Sequence, residues 1–259
     1  MIAHPKLPLT LSGLAALLAL GAALTGIVHP PLYQYQPMTP DNLMPGTLSQ
    51  DIISLAVSLA LLACLRPLAR STSLRLWLIW LGLMGYLAYA YGIYVFETVI
   101  NPLYLIYIAI FSLSIWAVIS FFARADLALN APGAPRRITA ALFALLVAMF
   151  LMLWLSILIP AMQNQSAPVG ATIFAFDLAL ILPLLSFAAL MLWRRQRWGD
   201  VLALPLLVKA ATLGLSVLIG TLIGPLWGLP LAIDEVGIYA VLTLLPAALI
   251  IPWYRNVNA

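Results

Sequence analysis

Lys209 stands in the apolar run LPLLVKAATLGLSVLIG, nine residues beyond Asp200. At about 1.5 Å per residue its amine lies ~14 Å into a bilayer, near the midplane. An ionised side chain at that depth costs about 2.5 to 3.5 kcal/mol on insertion scales, so its presence asks for a partner or a function. The lysine stem reaches only ~6 Å, too little for easy snorkelling to the surface. Pairing with a carboxylate is the cheaper solution, and Asp51 and Asp177 are the candidates by depth. The competing structural reading is a buried Lys–Asp pair, or a lysine bonded to carbonyls freed by Pro205 one turn earlier.

The acids differ in setting. Asp177 follows GATIFAF, which is already apolar and helical in character, and is the acid expected to face an internal cavity. Asp51 follows Ser49 and Gln50 at a helix start, where the helix dipole favours a carboxylate; its plain reading is a cap. Asp234 and Glu235 stand in the same position ahead of the last apolar run and are read as caps.

A third feature is the segment YLAYAYGIYVFETVINPLYLIY, which holds six of the ten tyrosines. Tyr104 and Tyr107 fit an interfacial aromatic belt. Tyr86 and Tyr89 fall near the midplane, where a phenol must find a hydrogen-bond partner. Tyr86, Ala90, Tyr94 and Glu97 share one helical face that would line a polar path from the outer surface. The same face also suits helix packing, since Gly82, Gly85 and Gly92 let helices approach closely. Asn101–Pro102 reads as the start of the next span.

Other chemistries are excluded by what is missing. The sequence has no phosphate loop, HExxH, GxSxG or paired-cysteine motif. Cys64 is the single cysteine, and His4 and His29 lie outside the apolar runs, so haem or zinc ligation by helical histidine pairs is not expected. No cofactor, metal site or catalytic residue is assigned.

These residues must be positioned by a membrane domain. With 64% apolar and 8% charged residues, the 259-residue chain has too little polar surface to coat a soluble globule. Its net charge of +4 resides in short clusters between apolar runs, which report topology and not nucleic-acid binding. Eight runs approach the ~20 residues that span a bilayer: 9–28, 48–65, 74–96, 103–122, 138–159, 170–193, 201–223 and 236–253. The first is long for a signal-peptide core and is read as a retained helix. No extramembrane stretch could fold alone, so residues 1–259 form a single transmembrane domain of the all-α polytopic class. The longest connection, from His29 to Thr47, is Pro-rich and reads as a lid or a linker.

Lys6, Arg66, Arg70, Arg75, Arg124, Arg136, Arg137, Arg194, Arg195, Arg197 and Arg255 all fall on one side of these spans, and the other side has no Lys or Arg. The positive-inside rule makes the basic side cytoplasmic, with both termini there, as expected for a bacterial inner-membrane protein. Asp41, Asp51, Glu97, Asp234 and Glu235 then lie toward the outer face, and Trp77, Trp193, Trp198 and Trp253 form an inner aromatic belt. Asp51 precedes Arg66 by 15 residues and Asp177 precedes Arg194 by 17, a similar depth that suggests a parallel 4+4 repeat.

Together these features favour a transporter or permease-like protein. Its outward-facing polar cavity would be lined by Asp51, Asp177 and the Tyr86–Tyr94–Glu97 face, with Lys209 at the floor, and its partners would be membrane lipids and a small molecule or ion. A second class is a membrane enzyme acting on a lipid or lipid-linked substrate at the outer leaflet, with Asp177 and Asp51 as acid and base or as oxygen ligands to a divalent cation. A third is a membrane subunit or assembly factor without a substrate of its own.

Overall fold

Apolar runs of this length leave the backbone one way to satisfy its polar groups in lipid, which is helix. The computed structural model describes residues 6–34, 43–70, 73–125, 129 and 131–257, and contains helices with no β-strand among them. The helices are α1 (Lys6–Val28), α2 (Pro31–Gln34), α3 (Met44–Arg70), α4 (Leu74–Phe96), α5 (Tyr104–Phe122), α6 (Arg136–Gln163), α7 (Ala171–Phe176), α8 (Leu182–Trp193), α9 (Arg197–Ile223) and α10 (Ile233–Asn256). Eight membrane-length helices result, because α7 and α8 form one span and α2 is a short turn outside the spans. Asp41 and His4 lie outside the described residues, as do residues 35–42 of the Pro-rich connection.

The span formed by α7 and α8 is interrupted just ahead of Pro183. Proline lacks the N–H and its ring crowds the carbonyl four residues back, so the preceding turn widens. Residues Asp177–Ile181 form a π-turn in which the Leu182 N–H reaches back to the Asp177 carbonyl. Pro205 and Pro246 sit inside continuous helices.

Packing is built on small residues. α1 carries Ser12, Ala15, Ala16, Ala19, Ala22, Ala23 and Gly26 as a buried stripe against α3 and α5. In lipid, where the hydrophobic effect does not drive helices together, such a stripe lets backbones approach and gain dispersion contacts. α1, α3, α4 and α5 close a ring in which each touches two neighbours, whereas α6, α8, α9 and α10 form an open row. The two halves are therefore packed differently, and the parallel repeat finds no support in the fold. α4 joins the halves through contacts with both α3 and α9. In its most apolar stretch 72% of residues are buried, against 17% in α6 and α10, so α4 is the internal helix and α6 and α10 face lipid.

All the described basic clusters fall at one end of the bundle, tied by a bidentate Arg136–Asp200 pair with both hydrogen bonds at 2.6 Å and by Arg75 Nε donating to the Val257 carbonyl. The aromatic belt at that end is smaller than its tryptophan count suggests. Trp193 and Trp198 are exposed, but Trp77 packs against Trp80 and Phe121, and Trp253 donates to Thr139 Oγ1 at 2.8 Å. Tyr107, also expected at an interface, is fully buried.

The α4–α9 contact depends on Gly82. A Cβ there would stand 2.6 Å from Val208 Cβ and 2.7 Å from the Pro205 carbonyl oxygen, in contact with backbone that cannot move aside. Gly82→Ala is expected to destabilise the protein by about 1–3 kcal/mol, the usual range for overpacking. Gly85→Ala, which meets nothing within 4 Å, should leave thermal unfolding in detergent unchanged.

Candidate functional site

The α4–α9 approach sets the position of Lys209, the residue next to Val208, whose amine lies 3.9 Å from the centre of the Tyr89 ring. Lys209 is only 6% exposed. Among the described residues its amine makes no salt bridge and no hydrogen bond, so its charge rests on the face of the phenol. Cation–π attraction of this kind contributes about 2 kcal/mol when desolvated. The expected direct pairing with Asp51 or Asp177 is thus replaced by an indirect one. The Tyr89 hydroxyl donates to Asp177 Oδ1 at 2.8 Å, so one phenol binds the cation through its face and the carboxylate through its edge.

Asp177 opens the π-turn and is buried. Its second oxygen accepts a hydrogen bond from Trp154 Nε1 of α6 at 3.0 Å, and the Trp154 ring packs on Phe174 with centroids 4.7 Å apart. The approach of α7 to α4 requires Gly92, where a Cβ would lie 2.6 Å from the Phe176 ring. Four helical segments therefore converge on the unit: α4 supplies Tyr89, α6 Trp154, the α7–α8 π-turn Asp177, and α9 Lys209. Trp154 is a member that its apolar surroundings in the sequence conceal.

Asp51 belongs to a second, separate polar cluster. Because α3 starts at Met44, Asp51 is seven residues inside the helix and 1% exposed, so it is not a cap. Tyr33 of α2 donates to its Oδ2 at 2.6 Å and Tyr94 of α4 to its Oδ1 at 3.2 Å. The rings of Tyr33, Tyr91, Tyr94 and Tyr107 pack around it in tilted and edge-to-face contacts, with neighbouring centroids 5.0 to 6.0 Å apart. Burial beside the Asp51 carboxylate pushes the Tyr33 phenol above its ordinary pKa. No Lys, Arg or His among the described residues bonds Asp51. Gly26 of α1 makes room for the pair, since a Cβ there would collide with both Asp51 Oδ2 and the Tyr33 hydroxyl.

The remaining candidates have structural partners. Glu97 Oε1 accepts the Thr172 N–H at 2.7 Å and so caps the first turn of α7. Tyr86 is fully buried and donates to the Gln50 carbonyl at 3.1 Å, and Gln50 Nε2 donates in return to the Ala90 carbonyl. The Tyr86–Tyr94 face packs against α3, where Tyr94 also donates to the Thr47 carbonyl at 3.2 Å. Asn101 Oδ1 accepts the Leu103 N–H as an Asx turn, and its Nδ2 donates to the Tyr107 hydroxyl. Asp234 and Glu235 lie in the first turn of α10, as expected from the dipole, without a side-chain cap bond at Ala232. A groove of about 320 Å³ lies at the basic end, lined by Pro135, Arg136, Arg137, Trp193 and Arg195 among others, and it shares no residue with either buried cluster. No group of three or more His, Cys, Asp or Glu residues placed to hold a metal occurs among the described residues.

No protein-family model, curated protein or solved structure matches the chain, so its chemistry is read from this geometry.

Hydrogen bonds to a buried charge contribute about 1.5–3 kcal/mol each. Tyr33→Phe should lower stability in detergent by about that amount. Gly26→Ala should do so at least as strongly by forcing the Tyr33–Asp51 pair apart. Gly21→Ala, where a Cβ meets nothing within 4 Å, is the control in the same unfolding assay.

Proposed function

We propose that this multi-pass membrane protein is a transporter or permease-like protein that recognises a small anion at Lys209, seen here in an occluded conformation. The observation that carries the reading is an ammonium group mid-way along α9, 6% exposed, with no acceptor among the described residues and only the Tyr89 ring beneath it. A buried cation without an acceptor is costly. A carboxylate or similar anionic group entering beside it would supply the missing hydrogen bonds, and the ring contact is weak enough to be exchanged for them.

Tyr89 links that event to the rest of the bundle. When the ammonium leaves the ring for a substrate, the phenol loses its cation and its bond to Asp177 is free to reorganise. Asp177 sits on the π-turn between α7 and α8, where the helix ladder is already interrupted. Occupancy at α9 is thereby coupled to the one span with a built-in hinge. Gly92 and the Glu97 cap hold α7 to α4, so movement of the hinge would carry the α4–α7 contact with it.

The protein resides in a bacterial cytoplasmic membrane with both termini inside, a reading supported by the single basic end. A C-terminal green fluorescent protein fusion should fluoresce, and a C-terminal alkaline phosphatase fusion should be inactive.

Charge displacement on a solid-supported membrane, with proteoliposomes challenged by a panel of small carboxylates and small amines, tests the assignment. A response to one or more carboxylates is expected, reduced about tenfold or more in Lys209→Met, the scale of losing one charge-assisted contact. Glu235→Gln, at the start of α10, should respond like the parent. Currents from amines alone, or a Lys209→Met protein matching the parent, would overturn the proposal.

A further inference from the structure

Asp51 is not used by the anion site. It is a carboxylate inside a membrane helix, 1% exposed, held by two phenols and bonded to no cation among the described residues. We infer that Asp51 is a proton-binding site of the outer half of the bundle, gated by Tyr33 of the short helix α2, and that it supplies the coupling ion for the transporter proposed above.

The choice of a proton over a metal ion or an organic cation comes from packing. Gly26 is in such close contact that a single added methyl group would overlap both Asp51 Oδ2 and the Tyr33 hydroxyl. Tyr91 and Tyr107 are fully buried, and Tyr94 is 4% exposed. An alkali ion would need several oxygens around a sphere of its own, and an ammonium compound would need the volume that the four rings already fill. A proton adds no volume. It converts the carboxylate to a carboxylic acid, and that oxygen gives up its role as acceptor toward one phenol.

The access route is set by which element carries which donor. Tyr94 comes from the internal helix α4, while Tyr33 comes from a four-residue helix beyond the end of α1, outside the spans. Of the two phenols on Asp51, Tyr33 is the one that can leave without moving a membrane helix. Its departure would expose Oδ2 to the outer aqueous phase. The groups set around Asp51 are phenols and a glycine, Tyr33 from α2, Tyr86, Tyr91 and Tyr94 from α4, Tyr107 from α5 and Gly26 from α1, and α9, which also packs on α3, places the neutral Ser216 beside Ser49. His29, at the C-terminal end of α1, is exposed.

This inference rests on the transport reading for its coupling role but is tested without a substrate. Infrared difference spectra of the protein in liposomes, taken across the neutral pH range, should contain a protonated-carboxyl C=O band that disappears in Asp51→Asn and persists in Asp177→Asn. Tyr33→Phe, which removes one hydrogen bond and keeps the ring, should shift the frequency of that band and speed its response to a pH jump. The proton-site assignment is overturned by the absence of an Asp51-dependent band, or by a band that Tyr33→Phe leaves unmoved. If carboxylate-driven currents survive while the band is missing, the anion site stands and the proton site falls. If the band is present and no carboxylate drives a current, the proton site stands and the anion site falls.

Discussion

Hydrocarbon supplies neither hydrogen bonds nor counter-charge, so every ionised group drawn into the bundle must be satisfied by the protein. Lys209, Asp177 and Asp51 are buried between helices, and none of them forms an ion pair among the described residues. Phenols take that role instead. Tyr89 stands between the cation and one carboxylate, and Tyr33 and Tyr94 solvate the other. The density of tyrosine on α4 follows from this constraint: the internal helix faces both clusters, and a phenol is the side chain that fills apolar volume while still offering one polar atom.

That arrangement needs helices close enough for phenols to reach across, and glycine provides the distance. Gly82 brings α9 onto α4 and so sets Lys209 above Tyr89, Gly92 admits Phe176 and so brings Asp177 to the same ring, and Gly26 clears the space for Tyr33 over Asp51. Each glycine is several residues away in sequence from the polar atom it positions. Loss of any one would be felt first as a packing defect and then as a displaced charge.

The eight spans are legible because composition and run length report directly on the solvent. The neighbourhood of Lys209 is legible by depth, but depth leaves open which way around the helix a side chain points. It therefore names Asp51 and Asp177 alike as candidate partners, without detecting the phenol that stands between Lys209 and Asp177. Asp51 reads as a cap because the apolar run begins at residue 48, whereas the helix extends back to Met44 and draws the acid inside. Trp154 lies in a run of apolar neighbours, and nothing in local sequence distinguishes an indole that donates to a carboxylate from one that only packs. Tyr107 and Trp77 look interfacial by position and are buried because α5 and α4 turn those faces inward, a tertiary fact with no local signal.

A direct salt bridge between Lys209 and Asp177 would have been the simpler way to hold two charges in lipid, and its absence bears on mechanism. A buried pair with both partners locked together resists separation, since parting them leaves two uncompensated charges. With Tyr89 interposed, each charge has its own contact to the ring: Asp177 would keep its bond from Trp154 if the phenol turned away, and in the proposed function Lys209 would gain acceptors from an incoming anion. The cost is a weaker resting state than an ion pair would give. A static scaffold has no need to accept that cost. The transporter proposed above, which would release and recapture charge on each cycle, would have that need, and the placement of the carboxylate on a π-turn, where the helix ladder is interrupted, fits that proposal.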